Sequence, residues 1–217
     1  MSDNSNASVA IMNQVPDASS GVPGQSPLAH VGLAEAAQHS AQEGGVHFRE
    51  LGLLGHLTLR LNPSNKALVE TAQQVLGADL PLQPLTCVEQ GEMVVRWMSP
   101  DEWLITVPNH QAFDLEVRFR EQMQGHYSLV NGSGGLTVYQ LSGANVIELL
   151  KKSTTVDLHD SVFPIGKVVS SVFAKSGAVI RRTGKTEFEL VVRRSFADYL
   201  WLWIQSASQE FGLVIEA

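Results

Sequence analysis

Between Arg193 and Gly212 the chain reads RRSFADYLWLWIQSASQEFG, and this stretch limits the possible folds more than any other. Tyr199, Leu200, Trp201, Leu202, Trp203 and Ile204 follow one another without interruption, so a helix built from them has no polar face for nearly two turns. Ser195 followed by Asp198 three residues on reads as a capping-box-like helix start. A surface helix needs only one apolar stripe. If Phe196, Leu200 and Trp203 face the chain's own core, then Trp201, Leu202 or Ile204 need cover from elsewhere, and a neighbouring subunit is a natural source. The candidate subunit interface is therefore Tyr199, Trp201, Leu202, Trp203 and Ile204, in a chain expected to work as part of an assembly.

With 217 residues, 44% hydrophobic and 17% charged, the chain can build one generous domain or two small ones around a sizeable core. Its net charge of −7 argues against a nucleic-acid or anionic-membrane surface, and the basic pairs Lys151-Lys152, Arg181-Arg182 and Arg193-Arg194 read as solvated. No run approaches the roughly 20 apolar residues of a membrane span. The first Lys or Arg is Arg49, so the basic region of a secretory signal is missing and the expected location is the cytoplasm. A single cysteine, Cys87, excludes an internal disulfide and a multi-cysteine metal site, and reads as a buried inert thiol.

Residues 1–26, rich in Ser, Asn, Gly and Pro, read as a tail that is disordered or wraps a partner, and residues 27–45 as a connecting segment. The folded body is expected over 46–217. A weak internal duplication with a period of about 80–85 residues divides it into two units, about 46–126 and 127–217. In the first, strand 57–61 leads through Asn65 into a helix closed by Gly77, then strands at 93–97 and 103–107 and a helix with Ala112, Leu115, Phe119 and Met123 on one face. In the second, strand 137–141 precedes a helix carrying Val146, Ile147, Leu149 and Leu150, strands at 168–174, 178–182 and 188–192, the aromatic helix, and a short strand 213–215 closing the sheet. Leu61 corresponds to Leu141, Asn65 to Asn145, and Glu102-Trp103 to Glu187-Phe188. Two similar β-α-β-β-α units with mostly antiparallel sheets make an α+β fold with helices on one face of each sheet.

No motif announces catalysis. Asn131-Gly132-Ser133-Gly134-Gly135 lacks the spacing of a phosphate cradle and precedes a strand, so it reads as a turn or bulge. The seven histidines show no paired metal-ligand spacing. Asp101-Glu102 and Asp157 with Asp160 sit in turn or cap contexts. No catalytic, cofactor-binding or metal residue is assigned.

Ser26-Pro27-Leu28, SPDEWLITV at 99–107, the LSG turn at 141–143, DLHDSVFPIG at 157–166 and FELVVRRSFADYLWLWI at 188–204 occur in an order that resembles the gamma subunit of heterotetrameric sarcosine oxidase, over most of residues 26–212. More distantly, residues 129–215 resemble the folate-binding domain of glycine-cleavage aminomethyltransferases, whose fold is then expected here. The chain departs from that family after Ile180: where a catalytic aspartate is carried, Arg181 and Arg182 stand, and a guanidinium cannot do a carboxylate's work. The folate-binding repair proteins of the same superfamily carry a Lys-Gly-Cys-Tyr-type motif, which the surroundings of Cys87 do not match.

The resemblance implies a non-catalytic subunit of a complex that oxidatively demethylates sarcosine to glycine with oxygen, yielding hydrogen peroxide and methylenetetrahydrofolate, or formaldehyde without folate. It places FAD, FMN, NAD, zinc and tetrahydrofolate in other subunits, none in this chain, and makes the alpha, beta and delta subunits its partners, with the main contact to alpha. A free-standing folate-binding aminomethyltransferase-like protein or folate sensor is the alternative, and a generic adaptor a third reading.

Overall fold

The computed structural model describes residues 24–39 and 43–216, so all but three residues of the expected tail lie outside the described residues. The connecting segment contains a 3-10 turn at Ala29–Val31 and a short helix, α1 (Leu33–His39), which the sequence reading did not anticipate. Its apolar stripe is a single turn of half-buried residues, Leu33, Ala36 and Ala37, and no residue of the seven is fully buried, so the periodic signal is short. Leu28, just before the turn, is buried in the core of the second unit.

The body then runs β1 (Val46–Leu51), β2 (Leu54–Leu61), α2 (Lys66–Leu76), β3 (Cys87–Gln90), β4 (Met93–Ser99), β5 (Glu102–Pro108) and α3 (Asn109–Gln122). It continues with β6 (Tyr127–Asn131), β7 (Leu136–Ser142), α4 (Val146–Ser153), β8 (Val168–Phe173), β9 (Ser176–Gly184), β10 (Glu187–Arg193), α5 (Ala197–Ala207) and β11 (Leu213–Ile215). Local chemistry sets several of these bounds. The Asn65 side chain accepts a hydrogen bond from the Leu68 N–H at the start of α2, and Gly77 closes that helix at φ +67°.

Two sheets form, in the orders β3-β4-β5-β2-β6 and β11-β1-β7-β10-β9-β8. Every ladder is antiparallel except β1 with β11, where Phe48 lies opposite Ile215. Alternation along the strands gives each sheet two apolar faces. Leu57, Leu59, Trp103 and Ile105 pack under α2 and α3, whereas Phe48, Tyr139, Phe188 and Leu190 pack under α4 and α5. The remaining faces meet each other through Leu104, Val138 and Val191. The result is four layers, helices outside and two sheets within.

The leading strand of each unit pairs in the other unit's sheet. β1 lies against β7, with Phe48 opposite Leu141, and β6 lies against β2, with Leu129 opposite Leu59. Each unit therefore runs β-β-α-β-β-β-α, longer than the expected β-α-β-β-α by this exchanged strand and by one strand after the first helix. In the first unit that strand is β3, a half-exposed edge whose sequence, CVEQ, does not alternate. The glycine cluster forms a 3-10 turn at Ser133–Gly135 linking β6 to β7. Its Ser133 Oγ accepts from the His56 N–H at 3.0 Å.

Candidate subunit interface

Helix α5 begins later than the sequence suggests. Arg194–Phe196 form a 3-10 turn, Phe196 is the N-cap, and no side chain caps the helix. Asp198 is instead in the first turn, where a carboxylate suits the helix dipole, and it accepts from or pairs with His30 at 3.0 Å. Ser195 and Asp198 are thus not a capping box: the 3-10 turn takes up the residues that would have closed it.

Ala197, Leu200, Trp201 and Ile204 form the buried face of α5, spaced i, i+3, i+4 and i+7. Trp201 is only 4% exposed, and its ring lies 4.8 Å from that of Phe48. Phe48 in turn meets Tyr139 edge-on at 5.1 Å, and the Tyr139 hydroxyl donates to the Ala197 carbonyl at 2.9 Å. Burial, with the charges of Glu50 and Asp198, raises the Tyr139 pKa and keeps that donor protonated. Trp203 is half-buried and donates from Nε1 to Ser153 Oγ at 3.0 Å.

Trp201 and Ile204 are therefore core residues, not interface residues. For Trp201 the cover includes Phe48 of β1, the strand exchanged from the first unit, and Ile204 is buried in the same core. Tyr199 and Leu202 do face outward, and Phe196, assigned inward from sequence, joins them. These three lie at i, i+3 and i+6, one outer stripe, with Leu202 56% exposed.

Arg181 and Arg182 are neither solvated nor free to act. On the inner face, Arg181 donates from Nε to Glu189 Oε2 at 3.0 Å and pairs also with Glu89. Arg96 from β4 reaches the same Glu189 oxygen at 2.9 Å and donates to Thr106 Oγ1 at 2.7 Å. Burial draws the Arg96 pKa down while Glu189 opposes it. For Arg181 burial acts downward too, but Glu189, Cys87 and Glu89 outweigh it and the pKa is raised. On the opposite face, Arg182 donates to the Phe163, Gly184 and Lys185 carbonyls and pairs with Asp160 at 2.6 Å.

His56, buried beside this cluster, has its pKa pushed down to about 4 by desolvation and then by the Arg96 charge, so it is neutral near pH 7. Asp101 accepts from Ser99 and Arg60, and the Asp157 carboxylate accepts from the His159 N–H, the turn roles expected for them. Cys87 is half-buried rather than buried, its thiol donating to the Gly166 carbonyl at 3.3 Å. Among the described residues, no three His, Cys, Asp or Glu side chains converge as a metal would require, and no helix is long and apolar enough to cross a membrane.

The family model described as "Sarcosine oxidase, gamma subunit family" matches residues 60–210. The sarcosine oxidase subunit gamma of Corynebacterium sp. (strain P-1) is 27% identical over 191 residues, covering 87% of this chain and 91% of its own. That of an Arthrobacter species is 27% identical over 190 residues, with the same coverage. Among solved structures, a chain of the heterotetrameric sarcosine oxidase from Corynebacterium sp. U-96 superposes with a TM-score of 0.77 at 25% identity, covering 87% of this chain and 96% of that one. The glycine cleavage system aminomethyltransferase T from Bartonella henselae shares the fold alone, with a TM-score of 0.55 at 11% identity over 80% of this chain and 48% of that one.

Proposed function

The chain belongs to the sarcosine oxidase gamma subunit family, and we propose that it serves as a structural subunit of an oxidoreductase complex that demethylates sarcosine to glycine with oxygen. The complex yields hydrogen peroxide and passes the one-carbon unit to tetrahydrofolate, or releases formaldehyde in its absence. FAD, FMN, NAD, zinc and tetrahydrofolate sit in the other three subunits, and the whole works in the cytoplasm. This chain docks chiefly on the alpha subunit through the outer stripe of α5, Phe196, Tyr199 and Leu202.

The observation that carries the non-catalytic role is the fate of Arg181 and Arg182. They stand where the aminomethyltransferases would need a carboxylate, and both guanidinium groups are tied up in internal pairs. A free-standing aminomethyltransferase or folate sensor is disfavoured on the same ground. The exposed aromatic and aliphatic stripe supports docking, because such side chains dominate interface energetics.

Coexpression with the other subunits, followed by native mass spectrometry and assay of sarcosine-dependent peroxide release, tests the reading. One copy beside three different chains in an active complex is expected. Leu202→Arg is expected to lower its incorporation at least ten-fold with the isolated fold intact. A free monomer beside an active complex that lacks it overturns the subunit role. Full retention of the Leu202→Arg chain moves the contact off α5.

A further inference from the structure

Two stacked sheets ordinarily fill the space between them with apolar side chains. Here Leu104, Val138 and Val191 fill only part of it. Beside that seam the strand register lines up Arg49, Gln140, Glu189 and Arg181 in one row across β1, β7, β10 and β9, on the inner face. His56, Thr106 and Arg96 of the other sheet stand against this row, with Arg96 bonded to Glu189 across the gap. A cavity of about 480 Å³ opens among these side chains, between Gly52 of the β1–β2 turn and Glu92 of the β3–β4 turn, with Leu51, Leu54 and Val138 in its wall. Its size is that of a small-molecule site.

Buried polar groups are nearly always hydrogen-bonded. Two in this strip are not. Arg96, 1% exposed and lining the cavity, donates from Nη1 to Thr106 and from Nη2 to Glu189, and its Nε–H has no partner among the described residues. Thr106 Oγ1, which accepts from Arg96, directs its own proton to His56 Nδ1 at 3.4 Å. The neutral imidazole therefore carries its proton on Nε2, and that atom too is buried without a partner.

Both of these groups are donors and call for an acceptor. Of the three charges buried together, Arg96 and Arg181 are guanidiniums and Glu189 alone is a carboxylate, while Glu89, which also pairs with Arg181, is 58% exposed. At the mouth the signs are mixed. Arg49 on one sheet and Glu92 on the other are exposed, and neither has an ion pair or side-chain hydrogen bond among the described residues. Glu50, the remaining acid of the lining, already accepts from Thr137.

We propose that this cavity binds a free α-amino acid with an aliphatic side chain, held as its zwitterion. The carboxylate accepts from the Arg96 Nε–H within and from Arg49 at the mouth, the ammonium pairs with Glu92, and the side chain lies against Leu51, Leu54 and Val138. An anion without the ammonium would be opposed by Glu92, and a cation without the carboxylate by Arg49 and Arg96. The site is independent of the subunit role, because binding is measured on the full chain by itself.

Titration calorimetry with L-leucine, glycine, leucinamide and 4-methylpentanoate tests it. Leucinamide lacks the carboxylate and 4-methylpentanoate the ammonium. Leucine should bind at least ten-fold tighter than each of the other three, glycine being weak because it buries no side chain. Glu92→Gln and Arg49→Met, both surface changes, should keep the melting temperature within about 2 °C of the parent and weaken leucine at least ten-fold. No binding of leucine overturns the site and leaves water as the partner of the two N–H groups. Equal binding of 4-methylpentanoate overturns the ammonium contact, equal binding of leucinamide the carboxylate contact, and equal binding of glycine the aliphatic wall. Leucine binding that neither variant weakens lies elsewhere on the chain and overturns the assignment to this cavity.

Discussion

Arg96 of β4 and Glu189 of β10 meet at 2.9 Å across the gap between the two sheets, both almost wholly buried. Arg181 shares the same carboxylate from the other side, at 2.8 Å. One buried anion thus holds two buried cations, and it ties the sheets together.

Glu189→Gln removes that anion, leaving Arg96 with no carboxylate in the interior and Arg181 with Glu89 alone. The expected loss is about 3–5 kcal/mol of folding stability, the range for breaking a buried pair from one side. Denaturant midpoints of the isolated parent and variant measure it, and a loss near zero would mean the sheets are held by Leu104, Val138 and Val191 alone.

His56 makes stability depend on acid. Its folded pKa of about 4 lies below the ordinary value of 6.5, so between those values the unfolded chain binds the proton and the folded chain does not. The stabilisation is complete above pH 6.5 and is lost as pH falls to about 4, amounting to about 3 kcal/mol. Unfolding free energies from urea titrations at pH 7 and pH 4 should differ less in His56→Asn than in the parent by about this amount.

Trp201→Ala opens a cavity against Phe48 and should cost about 3–5 kcal/mol, visible as loss of the folded circular-dichroism signal or of melting temperature in the isolated chain. Leu202→Ala, one residue on, should stay within about 0.5 kcal/mol of the parent in the same measurement.

Gly143 has φ +111°, and a Cβ there would stand 2.5 Å from the Gly45 carbonyl oxygen. The close approach lets the Asn145 N–H donate to that oxygen at 2.7 Å, where the chain enters β1. Gly143→Ala should therefore destabilise by about 1–3 kcal/mol, the cost of a strained backbone position. Thermal melts of the isolated chain test it.

Elements with one clear face were legible in the sequence. The Ala112, Leu115, Phe119, Met123 stripe is the buried face of α3 and its cap, and Asn65 and Gly77 bound α2. Where the pattern is saturated it carries no phase. Six apolar residues in a row fit several rotations of α5, and the one the fold takes packs Trp201 on Phe48 and leaves Phe196 outside. Strand partners are equally silent: nothing local in β1 or β6 says that each belongs in the other unit's sheet. The ion cluster was missed for a related reason, since Arg96, Arg181 and Glu189 are distant in sequence and meet only when the sheets stack.

That exchange of leading strands also decides how the molecule fails under load. To part the two halves, the β1–β7 and β2–β6 ladders must be unzipped together, so neither half can yield while the other stays whole. A chain latched twice in this way is expected to come apart in one cooperative step. The latch makes the chain a stiff block instead of a hinge.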